Sequence, residues 1–266
     1  MAQSTWHCGT LPKKVRLMLF RFGSQQVTVN IPDRSALLAE VRARLTGHAG
    51  FALATLNLDH LVKLRRSAAF RSTYAAQDLV VADGNPIVWL SHLARRPVAL
   101  VPGSDLVIPL ARLAAATGAT VALIGSTDIA LAAAADRLRA EVPGVIIALT
   151  HAPAMGFDPQ GAEARALLAR VAPVAGLCFI ALGAPKQETF AALGRSLAPG
   201  VGFVSVGAGL DFLAGTQGRA PKWVRSIAME WLWRALSEPR RLIPRYLACV
   251  AILPGQMLEA WRLRSS

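Results

Sequence analysis

Asp83 is the residue of this sequence best placed to act as a general base. It follows Leu79 to Ala82, an apolar run that predicts a buried strand, and Gly84 and Pro86 end that strand. Open α/β sheets hold their ligands outside the carboxyl ends of parallel strands, so a carboxylate here is a candidate catalyst. Acids are also scarce, with 16 Asp and Glu against 29 Lys and Arg. The alternative is an aspartate that only caps the next turn.

A second apolar run also ends in polar residues. Thr55 and Asn57 stand at the end of Phe51 to Leu56, and their spacing of two points both side chains the same way in a strand. This pattern resembles a binding surface. His60, shortly after, has no partner at metal-ligand spacing, and we expect it to be exposed or to cap a helix.

Gln187 lies in the turn Gly183-Ala-Pro-Lys-Gln-Glu188, where proline begins a helix. Its amide suits a sugar hydroxyl or a carbonyl. The alternative is an ordinary proline-started helix in which Glu188 only interacts with the helix dipole. The turn Pro102-Gly-Ser-Asp105 is similarly ambiguous, because Asp105 either caps the next helix or faces the same cleft.

The turn Gly125-Ser-Thr-Asp128 opens another helix and offers free N–H groups to an anion. It is neither the G-x-G-x-x-G loop of dehydrogenases nor a phosphate-binding Walker loop, so it supports neither class. Asp128 is predicted to be the N-cap of that helix.

Alternation of apolar runs with helical stretches between residues 117 and 215 predicts βαβ units. The predicted fold is α/β, a Rossmann-like parallel sheet flanked by helices. Residues 1–116 are predicted to form an α/β N-terminal subdomain carrying the candidate base, residues 117–215 a Rossmann-like subdomain, and residues 216–266 a basic helical tail. The stretch from Asn57 to Arg71 is also expected to be helical.

The net charge of +13 implies an anionic partner: nucleic acid, a nucleotide phosphate or an anionic membrane surface. No apolar run reaches the roughly 20 residues of a membrane span, and the N-terminal apolar stretch is too short for a secretory signal. A cytoplasmic location is therefore expected. Cys8, Cys178 and Cys249 have neither disulfide-framework nor zinc spacing.

The tail is strongly basic, with nine Lys and Arg against three acids from residue 216 onward. Tyr246 to Trp261, interrupted by Pro254-Gly255, is short and apolar with basic flanks, which is typical of a segment lying in a membrane interface. No Asp-x-Asp pair occurs to hold a metal against a diphosphate. Arginine would have to supply that positive charge.

Seven motifs, in this order, resemble the WecG/TagA/CpsF family of glycosyltransferases over about Phe51 to Leu247. They are Thr55-Leu-Asn57, Ala82-Asp-Gly84, Pro102-Gly-Ser-Asp105, Gly183-Ala-Pro-Lys-Gln-Glu188, Asp211-Phe-Leu-Ala-Gly215, Arg219-Ala-Pro221 and Glu230-Trp-Leu-Trp-Arg234. The resemblance implies metal-independent, inverting transfer of a hexose or N-acetylhexosamine from a UDP-sugar to a polyprenyl-diphosphate-linked sugar. That reaction would serve cell-surface polysaccharide synthesis at the inner face of the cell membrane, with no cofactor.

The same resemblance implies roles for individual residues. Asp83 matches the proposed base, and Thr55, grouped with it as catalytic, lies near the sugar and acceptor. Asn57 and Gln187 match substrate positions there, and Asp211 matches a nucleoside contact. Arg234 and Arg241 match tail arginines that reach the diphosphate. Relatives often carry consecutive arginines where this chain has Pro244-Arg245, which leaves the role of Arg245 open.

The alternative is a basic nucleotide- or nucleic-acid-binding Rossmann-like protein without transferase activity. The bases are not interleaved with aromatic residues along a stripe, and no nucleic-acid motif occurs, so we expect no nucleic acid partner. A homo-oligomer is compatible with the sequence.

Overall fold

A six-stranded parallel sheet forms the centre of the fold. The computed structural model describes residues 17–218, 233 and 239–265. The strands are β1 (Met18–Phe22), β2 (Gln25–Val29), β3 (Phe51–Leu56), β4 (Leu79–Ala82), β5 (Val121–Gly125), β6 (Ile147–His151), β7 (Leu177–Ala181) and β8 (Gly202–Ser205). The sheet has the order β4-β3-β8-β7-β5-β6, and β1 and β2 pair separately as an antiparallel hairpin.

Helices connect the strands. They are α1 (Arg34–Thr46), α2 (Leu58–Arg66), α3 (Ala68–Ala75), α4 (Asn85–Leu93), α5 (Val107–Thr117), α6 (Asp128–Glu141), α7 (Ala162–Val171), α8 (Lys186–Leu197), α9 (Gly209–Ala214) and α10 (Pro239–Arg262), with short 3-10 turns at Gly103–Asp105 and Leu263–Ser265. The predicted α/β class with a parallel, helix-flanked sheet is confirmed.

The two faces of the sheet are covered by different helices. Apolar residues of α1, α5 and α6 pack on one face, and those of α7 and α8 pack on the other. The β1-β2 hairpin and helices α2, α3, α4 and α10 form a third apolar cluster around β3 and β4. The loops after β5 and β7 therefore run to opposite faces, which opens a crevice at the carboxyl ends of these strands.

Strands β3 and β4 of the six-stranded sheet lie before residue 116 in the sequence, and strands β5 to β8 lie after it. The division of the chain into units at 1–116, 117–215 and 216–266 stays a prediction.

The helical stretch expected over Asn57 to Arg71 consists of two helices, α2 and α3, because Ser67 has extended backbone geometry and its hydroxyl caps α3 by accepting from the Phe70 N–H at 3.1 Å. Helix α10 continues through Pro254-Gly255. Packing of α10 on α2 and α4 supports the helix there.

Candidate active site

The ends of β3 and β4 bring the three N-terminal candidates together. Thr55 pairs with Val81 in the parallel register, so Asn57 and Asp83 emerge side by side just beyond the strands. The Asp83 N–H donates to the Leu56 carbonyl at 2.7 Å and fixes the backbone of the two strand ends. The sequence prediction that these side chains share one edge of the sheet agrees with this placement.

Asp83 does not cap the helix that follows it. Helix α4 has Gly84 as its N-cap, with no side-chain hydrogen bond to its first turn. Gly84 has a φ of 112°, which suits glycine and directs the chain sharply away from the strand. Asp83 is therefore not the N-cap of α4, and it lies half-buried at the edge where open α/β sheets bind ligands.

Thr55 and Asn57 both have contacts inside the protein. Thr55 is buried, and its hydroxyl lies 3.5 Å from the Ser205 carbonyl at the end of β8. The Asn57 carbonyl oxygen caps α2 by accepting from the His60 N–H at 3.1 Å. This cap uses the carbonyl oxygen, and the side-chain N–H₂ of Asn57 is a separate donor group.

The turn Pro102-Gly-Ser-Asp105 closes over Thr55. A Cβ on Gly103 would lie 3.1 Å from Thr55 Oγ1, so a side chain there would press on Thr55. Helix α5 has Leu106 as its N-cap without a side-chain cap, so Asp105 does not cap that helix. Asp105 is instead the last residue of the 3-10 turn at this edge of the sheet.

Gln187 is buried and connects two strand ends. Its Nε2 donates to Glu188 Oε1 at 2.7 Å, and its Oε1 accepts from the Gly207 N–H at 3.1 Å. The side chain thereby ties the turn after β7 to the turn after β8. Its contacts in this structure shape the edge of the site, and a direct contact with sugar stays a prediction.

Glu188, His60 and Tyr74 form a buried polar cluster beneath this turn. His60 Nδ1 shares a hydrogen bond with the Tyr74 hydroxyl at 2.5 Å, and its Nε2 lies 3.9 Å from Glu188 Oε1. Burial raises the pKa of Glu188 to about 7, lowers the pKa of His60 to about 3 and raises that of Tyr74. At neutral pH His60 is uncharged.

The expectation that His60 is exposed or caps a helix was wrong. His60 is buried because its partners come from α3 and α8, which fold against it from other parts of the chain. Local sequence carries no signal for such a cluster.

Asp211 and Ser126 meet at the crevice between the two halves of the sheet. The Ser126 hydroxyl donates to Asp211 Oδ1. Gly125 packs so closely on β7 that a Cβ there would lie 2.3 Å from the Ala181 carbonyl oxygen. The predicted cap Asp128 was wrong, since Thr127 caps α6 and accepts from the Ala130 N–H at 3.3 Å.

The tail residues divide into three cases. Arg234 lies outside the described residues. Arg241 is the third residue of α10, which begins at Pro239. Arg245 Nε lies 3.0 Å from Asp59 Oδ1, so this arginine pairs with α2.

Among residues 17–218, 233 and 239–265, no group of three or more His, Cys, Asp or Glu side chains is arranged to hold a metal ion. In the same part of the chain, no helix combines the length and apolar character needed to cross a membrane.

The family model described as the glycosyl transferase WecG/TagA/CpsF family matches residues 24–266, which extends the likeness of the seven motifs to nearly the whole chain. The chain belongs to the WecG/TagA/CpsF family of glycosyltransferases, whose role is in cell-surface polysaccharide synthesis.

Proposed function

We propose that this protein transfers a hexose or N-acetylhexosamine from a UDP-sugar to a polyprenyl-diphosphate-linked sugar, with inversion and without a metal. The observation that carries the proposal is the position of Asp83. Asp83 directly follows a buried strand, beside Asn57, at the edge where open α/β sheets bind their ligands.

In the proposed reaction Asp83 accepts the proton of the acceptor hydroxyl. The hydroxyl oxygen forms a bond to the anomeric carbon while the bond from that carbon to the diphosphate breaks, and the electron pair leaves on the UDP oxygen. A positioned carboxylate typically contributes about 10²–10⁴ in rate to such a proton transfer. Thr55 and Asn57 line the same edge and orient the sugar and acceptor.

Positive charge near the diphosphate stabilises the leaving group. Arg234 and Arg241 are assigned this role, with the N-termini of α6 and α8 at the crevice as further sources of positive potential. Asp211, held by Ser126, is assigned to the nucleoside. Arg245 is not assigned to the diphosphate, because it pairs with Asp59.

The outer face of α10 supports a peripheral site on the inner face of the cell membrane. Large apolar side chains are exposed along it at helical spacing: Ile243, Leu247, Val250, Met257, Leu258 and Trp261. Trp89 on α4, the helix that packs against α10, is also exposed. An apolar face of this size with basic flanks suits an anionic membrane interface, where the lipid-linked acceptor resides.

The test is a transfer assay with a panel of UDP-sugars and a polyprenyl-diphosphate-sugar acceptor. The Asp83→Asn variant is expected to lose about 10²–10⁴ in turnover and to keep the UDP affinity of the wild type. Asp136→Asn is the matched control, because Asp136 lies on α6 in an exposed pair with Arg139. Full turnover by Asp83→Asn, or no transfer by the wild type from any donor, would overturn the proposal.

A further inference from the structure

The carboxylate of Asp59 joins three parts of the chain. Its Oδ1 lies 3.0 Å from Arg245 Nε on α10, and its Oδ2 lies 2.6 Å from Lys63 Nζ on its own helix. Lys63 Nζ also donates to the Ala184 carbonyl at 2.9 Å. Ala184 belongs to the turn that carries Gln187, so the contacts form a continuous path from α10 to the catalytic edge.

The position of Asp59 distinguishes this path from an ordinary surface ion pair. Asp59 is only 8% exposed, whereas the Arg245 and Lys63 side chains are 39% and 34% exposed. Exposed pairs contribute little to stability, but a buried carboxylate is strongly unfavourable once its cationic partner is removed. Asp59 therefore favours the arrangement in which both cations are in place.

The two elements joined by Asp59 have different tasks under the proposed function. Helix α10 follows Arg234 and contains Arg241, which are assigned to the diphosphate. The turn Gly183–Glu188 holds Gln187 against the Gly207 N–H. A transfer site needs both elements in register when the sugar is transferred, because misplaced catalytic groups lose rate steeply.

We propose that Asp59 is a positioning residue that couples the docking of α10, through Arg245, to the placement of the Gly183–Glu188 turn, through Lys63. This inference rests on the proposed function for its catalytic consequence. Its structural half, the docking of α10, is independent of any substrate.

Cys249 provides a direct measure of docking. It lies on the inner face of α10 and is buried there, and burial raises its pKa to about 11. Release of α10 exposes the thiol and lowers that pKa, so the rate of reaction with a thiol reagent rises. A Cys8→Ser background leaves Cys249 and the fully buried Cys178 as the thiols of the chain.

In that background, Asp59→Asn and Arg245→Ala are expected to raise the labelling rate of Cys249 about tenfold or more. Lys63→Met should leave Cys249 protected, because its second contact is to the turn and not to α10. Arg245→Lys should retain most of the protection, since it keeps the positive charge beside Asp59. Arg139→Ala, which breaks an exposed pair on α6, is the matched control.

Turnover tests the coupling. Asp59→Asn, Arg245→Ala and Lys63→Met should each lower kcat about tenfold, and the double variant Arg245→Ala/Lys63→Met should lose less than the product of the single losses, because both act through one carboxylate. Arg245→Ala removes the more exposed member of the Asp59–Arg245 pair, so it tests the role of this pair even if Asp59→Asn fails to fold.

Unchanged Cys249 labelling in both Asp59→Asn and Arg245→Ala would overturn the docking role. Full turnover by Lys63→Met would overturn the coupling, and so would a loss in the double variant equal to the product of the two single losses. Neither outcome would affect the proposed function, provided that the wild type transfers sugar. Absence of transfer by the wild type would overturn the proposed function and, with it, the predicted effect of Asp59 on kcat. The labelling rate of Cys249 would still decide whether Asp59 holds α10 in place.

Discussion

Gly103 packs against Thr55 at a distance tighter than most Cβ contacts in proteins. An added Cβ would lie 3.1 Å from Thr55 Oγ1 and 3.3 Å from the Ser205 carbonyl oxygen. Thr55 belongs to a fully buried strand and has little room to move. We expect Gly103→Ala to lower the free energy of unfolding by about 1–3 kcal/mol and to lower turnover as the turn is pushed away from Thr55.

Urea denaturation and the transfer assay measure the two effects of Gly103→Ala. Gly200→Ala is the control, because the nearest atom to its Cβ would be the His48 carbonyl oxygen at 3.8 Å. Wild-type stability and turnover in Gly103→Ala would show that the close approach to Thr55 is unimportant.

Glu188 and His60 make opposite contributions to stability as pH changes. Burial raises the pKa of Glu188 from 4.5 to about 7, so its contribution is present below pH 4.5 and is lost as pH rises towards 7. Burial lowers the pKa of His60 from 6.5 to about 3, so its contribution is present above pH 6.5 and is lost as pH falls towards 3. Between pH 4.5 and 6.5 the stabilising contribution of Glu188 falls as pH rises while that of His60 increases, so the two changes oppose each other.

A variant that lacks one of the two groups should therefore show the pH dependence of the free energy of unfolding that the other group causes. Relative to wild type, the free energy of unfolding of Glu188→Gln should rise between pH 4.5 and 6.5, and that of His60→Phe should fall, each by on the order of 1–3 kcal/mol. Urea denaturation at pH 4.5, 5.5, 6.5 and 7.5 measures both. Differences from wild type that do not vary with pH would contradict the assignment.

At the scale of elements, α10 presents apolar side chains on both of its faces. Its inner face packs on α2 and α4, while Leu247 and Trp261 on the outer face are 64% and 57% exposed. Burying one large apolar side chain contributes about 1.5–3 kcal/mol. We expect Leu247→Glu and Trp261→Glu each to weaken binding to vesicles containing phosphatidylglycerol by about tenfold or more.

Vesicle sedimentation measures this partition. Ile129→Glu is the control, because Ile129 is an apolar residue on α6 that is 80% exposed and does not belong to α10. Binding of Leu247→Glu equal to that of wild type would contradict a membrane-facing role for α10.

The sequence predicted strands well wherever an apolar run is bordered by a turn residue. Phe51–Leu56 and Leu79–Ala82 were predicted with the correct bounds because Gly50 precedes the first, and Gly84 and Pro86 follow the second. Asp83 could be placed at the edge of the sheet for the same reason. The pairing of His60 with Tyr74 and of Asp59 with Arg245 could not, since each joins side chains from separate elements that only tertiary packing brings together.

At the scale of the whole molecule, the net charge of +13 has to be related to a particular anion. In the described part of the chain, several cations already have local partners: Arg44 with Glu40, Arg195 with Asp78, and Arg245 with Asp59. Charges engaged in this way contribute less to a general nucleic-acid surface than their number suggests. The arginines assigned to the diphosphate would act on a compact, doubly charged group at one site.

This view predicts that salt, and not chelation, controls donor binding. UDP held by arginine should bind about tenfold more weakly in 500 mM than in 50 mM NaCl, because the shorter Debye length screens partly exposed charges. Isothermal titration calorimetry measures the change, and uridine, which lacks the diphosphate, should show almost none. Arg241→Ala should reduce the salt dependence, and EDTA should alter neither binding nor transfer. Loss of transfer in EDTA with recovery on adding Mg²⁺ would instead assign the diphosphate to a metal ion.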